Sequence, residues 1–551
     1  MQGCGSDTPS AHHLYPMKTS LLRTVAPAAL LAVFSAVRLD ATSLYWDADG
    51  TTAGAGAVPS GTWGSDGFWN SDATGAAGGS FTSATTSADA LYFSAGPNTA
   101  TGAYAVTVSG TQAAQGITFQ NKGAITLGGG TLEIGSGGIT TVRTVTANND
   151  RAAVTISSNI VLQANQTWTA DTTLSGSFFT VSGNVTGTGN LTLTQNANRA
   201  FTVSGNLNHT GTLTSAGFNA GGMVVSGNIG SNVTDVKATS SAVLTLSGTN
   251  TYSGNTLIGG SNVAAVVRAG SDSALSASTT VILSAGGTSG TASLNLGNGA
   301  GSYNVTAAGL STTGTRLAFN TVTNGSTGAG TATLTINPDG AAAPADSTFA
   351  GIIQDGATAK VALTKAGGHT FTLNGANTYT GATRVTGGTL ALGASGSINA
   401  GSALTVGAGA IFDAQSLASY AFSTATTTTL GVGATSAGQI KAAEAVFSSA
   451  SLAFDFGSAT TLLSSYTVLI SSTETGHFSG VSATGGSISG TFIDAGSGNW
   501  ALNAGGYTLT FSESAGTLTA VASTIPEPST YGLLAGAAGL LLVMGSRRRR
   551  G

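Results

Sequence analysis

The chain has 551 residues; 82 are Gly, 7% are charged, a single Cys stands at position 4, and the formal net charge is −4. That length can bury a large core. A weakly acidic chain without a basic stripe argues against a nucleic-acid partner, and one thiol rules out a disulfide framework and a thiolate zinc site. Abundant Gly with low charge resembles the composition of disorder, but a mean hydropathy of +0.24 and patterned apolar residues point to an ordered body.

Met17 to Arg23 form a short basic segment, residues 25–37 are almost purely apolar, and a small-residue exit follows near 39–41. Basic, apolar, then small is the layout of a secretory signal peptide. Residues 17–41 are therefore read as that peptide and 1–16 as a mis-called extension ahead of the true start. The exported body is then free of thiols. Residues 44–95 hold three of the five Trp, at 46, 63 and 69, and are predicted to cap the open core of a first coil. Asp47, Asp49, Asp66 and Asp72 lie in this segment. They read as turn acceptors; the alternative, a Ca²⁺ site, lacks the regular acidic ligand series.

From 96 to 416 apolar-Thr-apolar triplets recur, for example at Ile125, Leu191, Phe201, Leu244, Leu334, Phe371 and Leu404. Period-two alternation places the apolar side chains on one face and Thr on the other. Gly, Asn and Ser follow nearly every triplet and supply turns. Strands this short and this frequent cannot each own a core, which predicts a stacked solenoid. The segment 371–381 repeats 244–254 and places Asn377, Tyr379 and Gly381 on Asn250, Tyr252 and Gly254, with a weaker copy at 201–211. Asn at such a corner is expected to form a ladder with Asn of neighbouring coils, and the Tyr residues to stack or to offer a platform to sugars.

Leu363, Thr364, Lys365, Gly367, Leu373, Gly375, Asn377, Thr378, Tyr379, Thr380, Gly381, Thr383, Val385, Gly388, Thr389 and Leu390 together resemble the autotransporter-associated β-strand repeat. The resemblance is strong over 363–392 and partial over 244–258. It implies a right-handed parallel β-helix on an exported protein. No closing series of amphipathic barrel strands follows, so export by the general secretory route is expected.

No catalytic, cofactor or metal residues are assigned. The carboxylates are few and dispersed; His209, His369 and His477 read as surface turn residues; and 128–130 and 286–287 read as glycine corners, with no Lys at phosphate-loop spacing. A carbohydrate-binding or carbohydrate-active β-helix enzyme is the alternative to a structural protein.

Residues 417–522 carry longer apolar runs and are predicted to form a C-terminal cap of antiparallel strands. The chain then presents Pro526-Glu527-Pro528, a short apolar run through about Gly545, and Arg547, Arg548, Arg549 and Arg550. An apolar helix with basic residues held on the cytoplasmic side suits a transient membrane anchor. Residues 524–551 resemble the PEP-CTERM sorting signal. The resemblance implies recognition of Pro526, Glu527 and Pro528 by an exosortase, with the arginines as the cytoplasmic stop. The expectation is all-β: a right-handed parallel β-helix with N- and C-terminal caps plus one C-terminal hydrophobic helix. Its expected partners are an exosortase and the inner membrane, both transiently, and extracellular polysaccharide; its expected site is the cell surface or matrix.

Overall fold

A three-residue strand such as Phe201–Val203 has too few ladder bonds to stand alone and gains stability only by pairing on both edges. The computed structural model, which describes residues 41–96, 99–142, 153–170, 178–196, 199–218, 221–336 and 346–523, resolves the repeats in this way. The described residues are all-β apart from one 3-10 turn at Leu317–Phe319 and wind into a solenoid of the right-handed type, about 15 turns long. Among them no helix is long and apolar enough to cross a membrane. The expected signal peptide, apolar helix and sorting motif lie outside the described residues.

Successive coils pair in parallel and in register. Ile125, Val154, Phe179, Phe201, Met223, Leu244 and Val267 stand one above another, and Leu294, Val322 and Ile353 continue the column. All ten are buried. Phe179 and Phe201 stack with ring centroids 4.5 Å apart. Full burial of each such ring contributes about 1.5–3 kcal/mol, so the column supplies cohesion in a body without disulfides. Between these apolar residues Thr points outward: Thr126, Thr155, Thr180 and Thr202 form one register row, and Thr140, Thr169 and Thr194 another.

The aromatic N-terminal stretch is already part of the ladder. Ser43–Trp46 runs parallel to Ala90–Phe93, and Gly61–Trp63 runs parallel to the strand carrying Val106 and Val108. Trp46, Trp63 and Trp69 are fully buried, and Trp69 lies 5.1 Å from Trp46, 5.2 Å from Trp63 and 5.1 Å from Phe93.

At the other end, the boundary expected at residue 417 does not mark a change of strand direction. Parallel pairing continues through Thr428–Gly431, Ser451–Asp455 and Gly480–Thr484. The antiparallel sheet is smaller. It comprises Ser465–Thr467, Thr517–Ala522, Tyr507–Ser512, Asn499–Ala504 and Ile493–Gly496 in spatial order. The longer apolar runs misled because a short buried run reads alike in a parallel coil and in an antiparallel sheet.

Candidate functional site

The repeat turns are the best-defined constellation in the body. Asn250 is buried: it accepts the Ile229 N–H from the preceding coil at 2.8 Å and donates through Nδ2 to the Ala274 carbonyl of the next coil at 2.7 Å. Asn377 does the same, accepting from the Ile353 N–H (2.8 Å) and donating to the carbonyls of Ser397 (2.9 Å) and Gly375 (3.1 Å). Each amide thus clips three consecutive coils through their backbones. The expected Asn-to-Asn ladder does not form at these positions, because each corner offers an unpaired backbone group that a buried amide satisfies directly. A ladder does exist on the exposed side, carried by different residues. The N–H groups of Asn184, Asn206, Asn228 and Thr249 donate in turn to Oδ1 of Asn159, Asn184, Asn206 and Asn228. Asn208 joins its neighbour similarly, accepting from the Asn232 N–H.

Tyr252 and Tyr379 are fully buried and point into the core. Neither presents a ring to a ligand, which corrects the aromatic-platform expectation. The Tyr252 hydroxyl bonds Thr256 Oγ1 at 2.6 Å, which bonds Thr279 Oγ1 at 3.0 Å. Tyr379 repeats the relay to Thr383 (2.7 Å) and Ser402 (2.7 Å). Burial pushes both phenols well above the ordinary tyrosine range. Gly254 and Gly381 are required by close approach: a Cβ at either would collide with the carbonyl oxygen of Thr234 or Val361 in the preceding coil.

Lys365 of the strongest copy, and Asp355 just ahead of it, have roles that spacing did not reveal. Lys365 is fully buried, and its ammonium caps the carbonyls of Ala366, Gly367 (3.0 Å) and Gly387 (3.2 Å). Asp355 accepts the N–H of Val361 at 2.8 Å and both the N–H (3.1 Å) and hydroxyl (2.6 Å) of Thr380.

Many of the other aspartates follow the same habit. Asp66, Asp72, Asp235, Asp272, Asp346, Asp413, Asp455 and Asp494 each accept a backbone N–H. Asp47 is buried and accepts from Asn70 Nδ2 at 2.8 Å; burial, with Asp49 nearby, raises its pKa to about 6. Among the described residues no three His, Cys, Asp or Glu gather as a metal-binding group.

The histidines divide. His209 is buried, not on the surface as expected: its Nδ1 lies 3.0 Å from the Gly189 carbonyl, and burial lowers its pKa. His477 is exposed but pairs with the buried Glu513 at 2.7 Å. Glu513 also accepts from Trp500 Nε1 (2.8 Å) and the Phe478 N–H (3.1 Å), and so pins the antiparallel sheet to the last coil. With His477 and Glu513 36 positions apart in sequence, no sequence motif could have disclosed the pair. Chemically, Asn250, Asn377, Lys365, Asp355 and Glu513 each hold backbone groups of neighbouring segments in place.

No curated protein and no solved structure matches the chain. The passenger-associated-transport-repeat family model matches residues 238–260 and 363–392. The first stretch contains Asn250, Tyr252 and Gly254, and the second contains Lys365, Asn377, Tyr379 and Gly381. The two backbone clamps thus coincide with the two matches, and over those residues the solenoid is similar to the passenger-associated transport repeat.

Proposed function

We propose that this protein is an exported structural or adhesive solenoid of the cell surface or extracellular matrix, acting without catalysis. The observation that carries this reading is the passenger-associated repeat recurring at two places along a solenoid of parallel strand pairs. Support also comes from the use of many aspartates as backbone acceptors, which ties those carboxylates to holding turns and coil edges. The buried Trp cluster then serves as the N-terminal cap and the antiparallel sheet as the C-terminal cap, closing both ends of the core against edge pairing.

In this reading residues 17–41 direct secretion and the C-terminal segment holds the protein briefly in the inner membrane. An exosortase acts at Pro526-Glu527-Pro528 and removes Arg547–Arg550 with the apolar run. The released body associates with extracellular polysaccharide. Mass spectrometry of protein recovered from the surface of the producing cell tests the route. The expected species lacks residues 1–41 and Arg547–Arg550; surface protein retaining an intact Arg550 overturns the sorting step.

A further inference from the structure

Where the last coils meet the antiparallel sheet, the surface folds into a cleft of about 330 Å³, within the size range of small-molecule sites. We propose that this cleft binds a neutral sugar unit of a polysaccharide. Ile411, Ala437 and Leu463 give it apolar lining, and Thr435, Ser436, Gln439, Ser465, Tyr466 and Thr467 give it polar lining. None of its lining residues is Asp, Glu, Lys, Arg or His, so a uronate, phosphate or sulfate finds no counter-charge there. Hydroxyls and one amide beside aliphatic side chains match a pyranose, which offers hydroxyls at its edge and C–H groups on its face.

The rim is preorganised. Tyr466 Oη donates to the Gly433 carbonyl at 2.9 Å and accepts the Leu463 N–H at 2.7 Å, while Gln439 Nε2 donates to the Thr467 carbonyl at 3.1 Å. Gln439 is thereby held with its Oε1 available as an acceptor. Holding the lining in place before binding lowers the ordering cost of capture. The buried repeat tyrosines cannot serve this purpose, so the cleft moves sugar recognition from the repeat turns to the C-terminal junction.

This inference rests on the matrix association proposed above. Calorimetric titration of the full-length protein with maltohexaose, cellohexaose, mannohexaose and hexagalacturonate tests it. At least one neutral hexasaccharide is expected to bind, with hexagalacturonate at least tenfold weaker. Ser436→Trp, which fills the cleft, is expected to reduce affinity at least tenfold. Gln439→Ala, which loses the acceptor toward the sugar and the brace to the Thr467 carbonyl, is expected to reduce it at least about fivefold. Failure of all three neutral sugars to bind, equal binding of hexagalacturonate, or wild-type affinity in both variants overturns the assignment. Protease accessibility of the wild-type protein on intact producing cells reads surface location separately, so failure of that reading and failure of the cleft give different results.

Discussion

Replacing Asn377 by Ala removes the acceptor of the Ile353 N–H and the donor to the Ser397 and Gly375 carbonyls in a residue only 3% exposed. A buried polar backbone group left without its partner costs about 1–3 kcal/mol. With the Ile353 N–H and the Ser397 carbonyl as the two principal losses, the total is about 3 kcal/mol. In a stacked array each coil is stabilised mainly by its neighbours, so the loss is expected to be local, over the coils carrying Ile353, Asn377 and Ser397. Hydrogen exchange read by mass spectrometry resolves this. Amides across 353–397 are expected to exchange about a hundredfold faster, since each 1.4 kcal/mol or so is a factor of ten, while 179–225 is unchanged. Asn206→Ala is the control. Its side chain is exposed and accepts from the Asn228 N–H, where water can substitute, so its effect stays under about 1 kcal/mol. Exchange in Asn377→Ala within about threefold of wild type, or no greater than in Asn206→Ala, refutes the clamp reasoning.

Gly381→Ala drives a methyl against the Val361 carbonyl; a loss of at least about 1–3 kcal/mol is expected in denaturant unfolding, and an unchanged midpoint contradicts the close-approach argument. Glu513→Ala strands Trp500 Nε1 and the Phe478 N–H, a cost of about 3 kcal/mol. Limited proteolysis should then open residues 493–522 while the coils stay intact, and Glu513→Gln, which keeps an acceptor, should be milder. Asp47 has a folded-state pKa of about 6, above the ordinary 3.8, chiefly through burial. Its proton therefore stabilises the folded state. That contribution is full below the ordinary value and is lost as pH rises from 3.8 to about 6. Protection over 44–70, taken relative to the intrinsic exchange rate at each pH, should fall across that window in the wild type and not in Asp47→Asn; parallel behaviour of the two assigns the effect elsewhere.

The strands were legible because their signal is local. The triplets at Leu191, Phe201, Leu244 and Leu404 all fall in strands with the apolar ends buried, apart from the added burial of Thr245. Repetition of the turn told where the coils bend. What the turn residues do was not legible, since partners such as Ile353 and Asn377 lie about one coil apart and only the coil register brings them together. Tyr379 reads as a polar-tipped aromatic fit for a surface, yet Thr383 four residues on satisfies its hydroxyl and lets the ring enter the core. His209 is hidden for a related reason: neighbouring coils enclose it, and the Gly189 carbonyl that meets its ring lies 20 residues away.

The central claim, parallel coils stacked in register, is tested most directly by paired cysteines in a Cys4→Ser background. Thr180 and Thr202 are register partners on adjacent coils, about 4.8 Å apart across the ladder and within disulfide reach. Thr180 and Arg268 share the same row four coils apart, about 19 Å at that spacing. Mild oxidation is predicted to close Thr180→Cys/Thr202→Cys within the monomer and to leave Thr180→Cys/Arg268→Cys open. Closure of the distant pair, or failure of the adjacent one in folded protein, contradicts the solenoid.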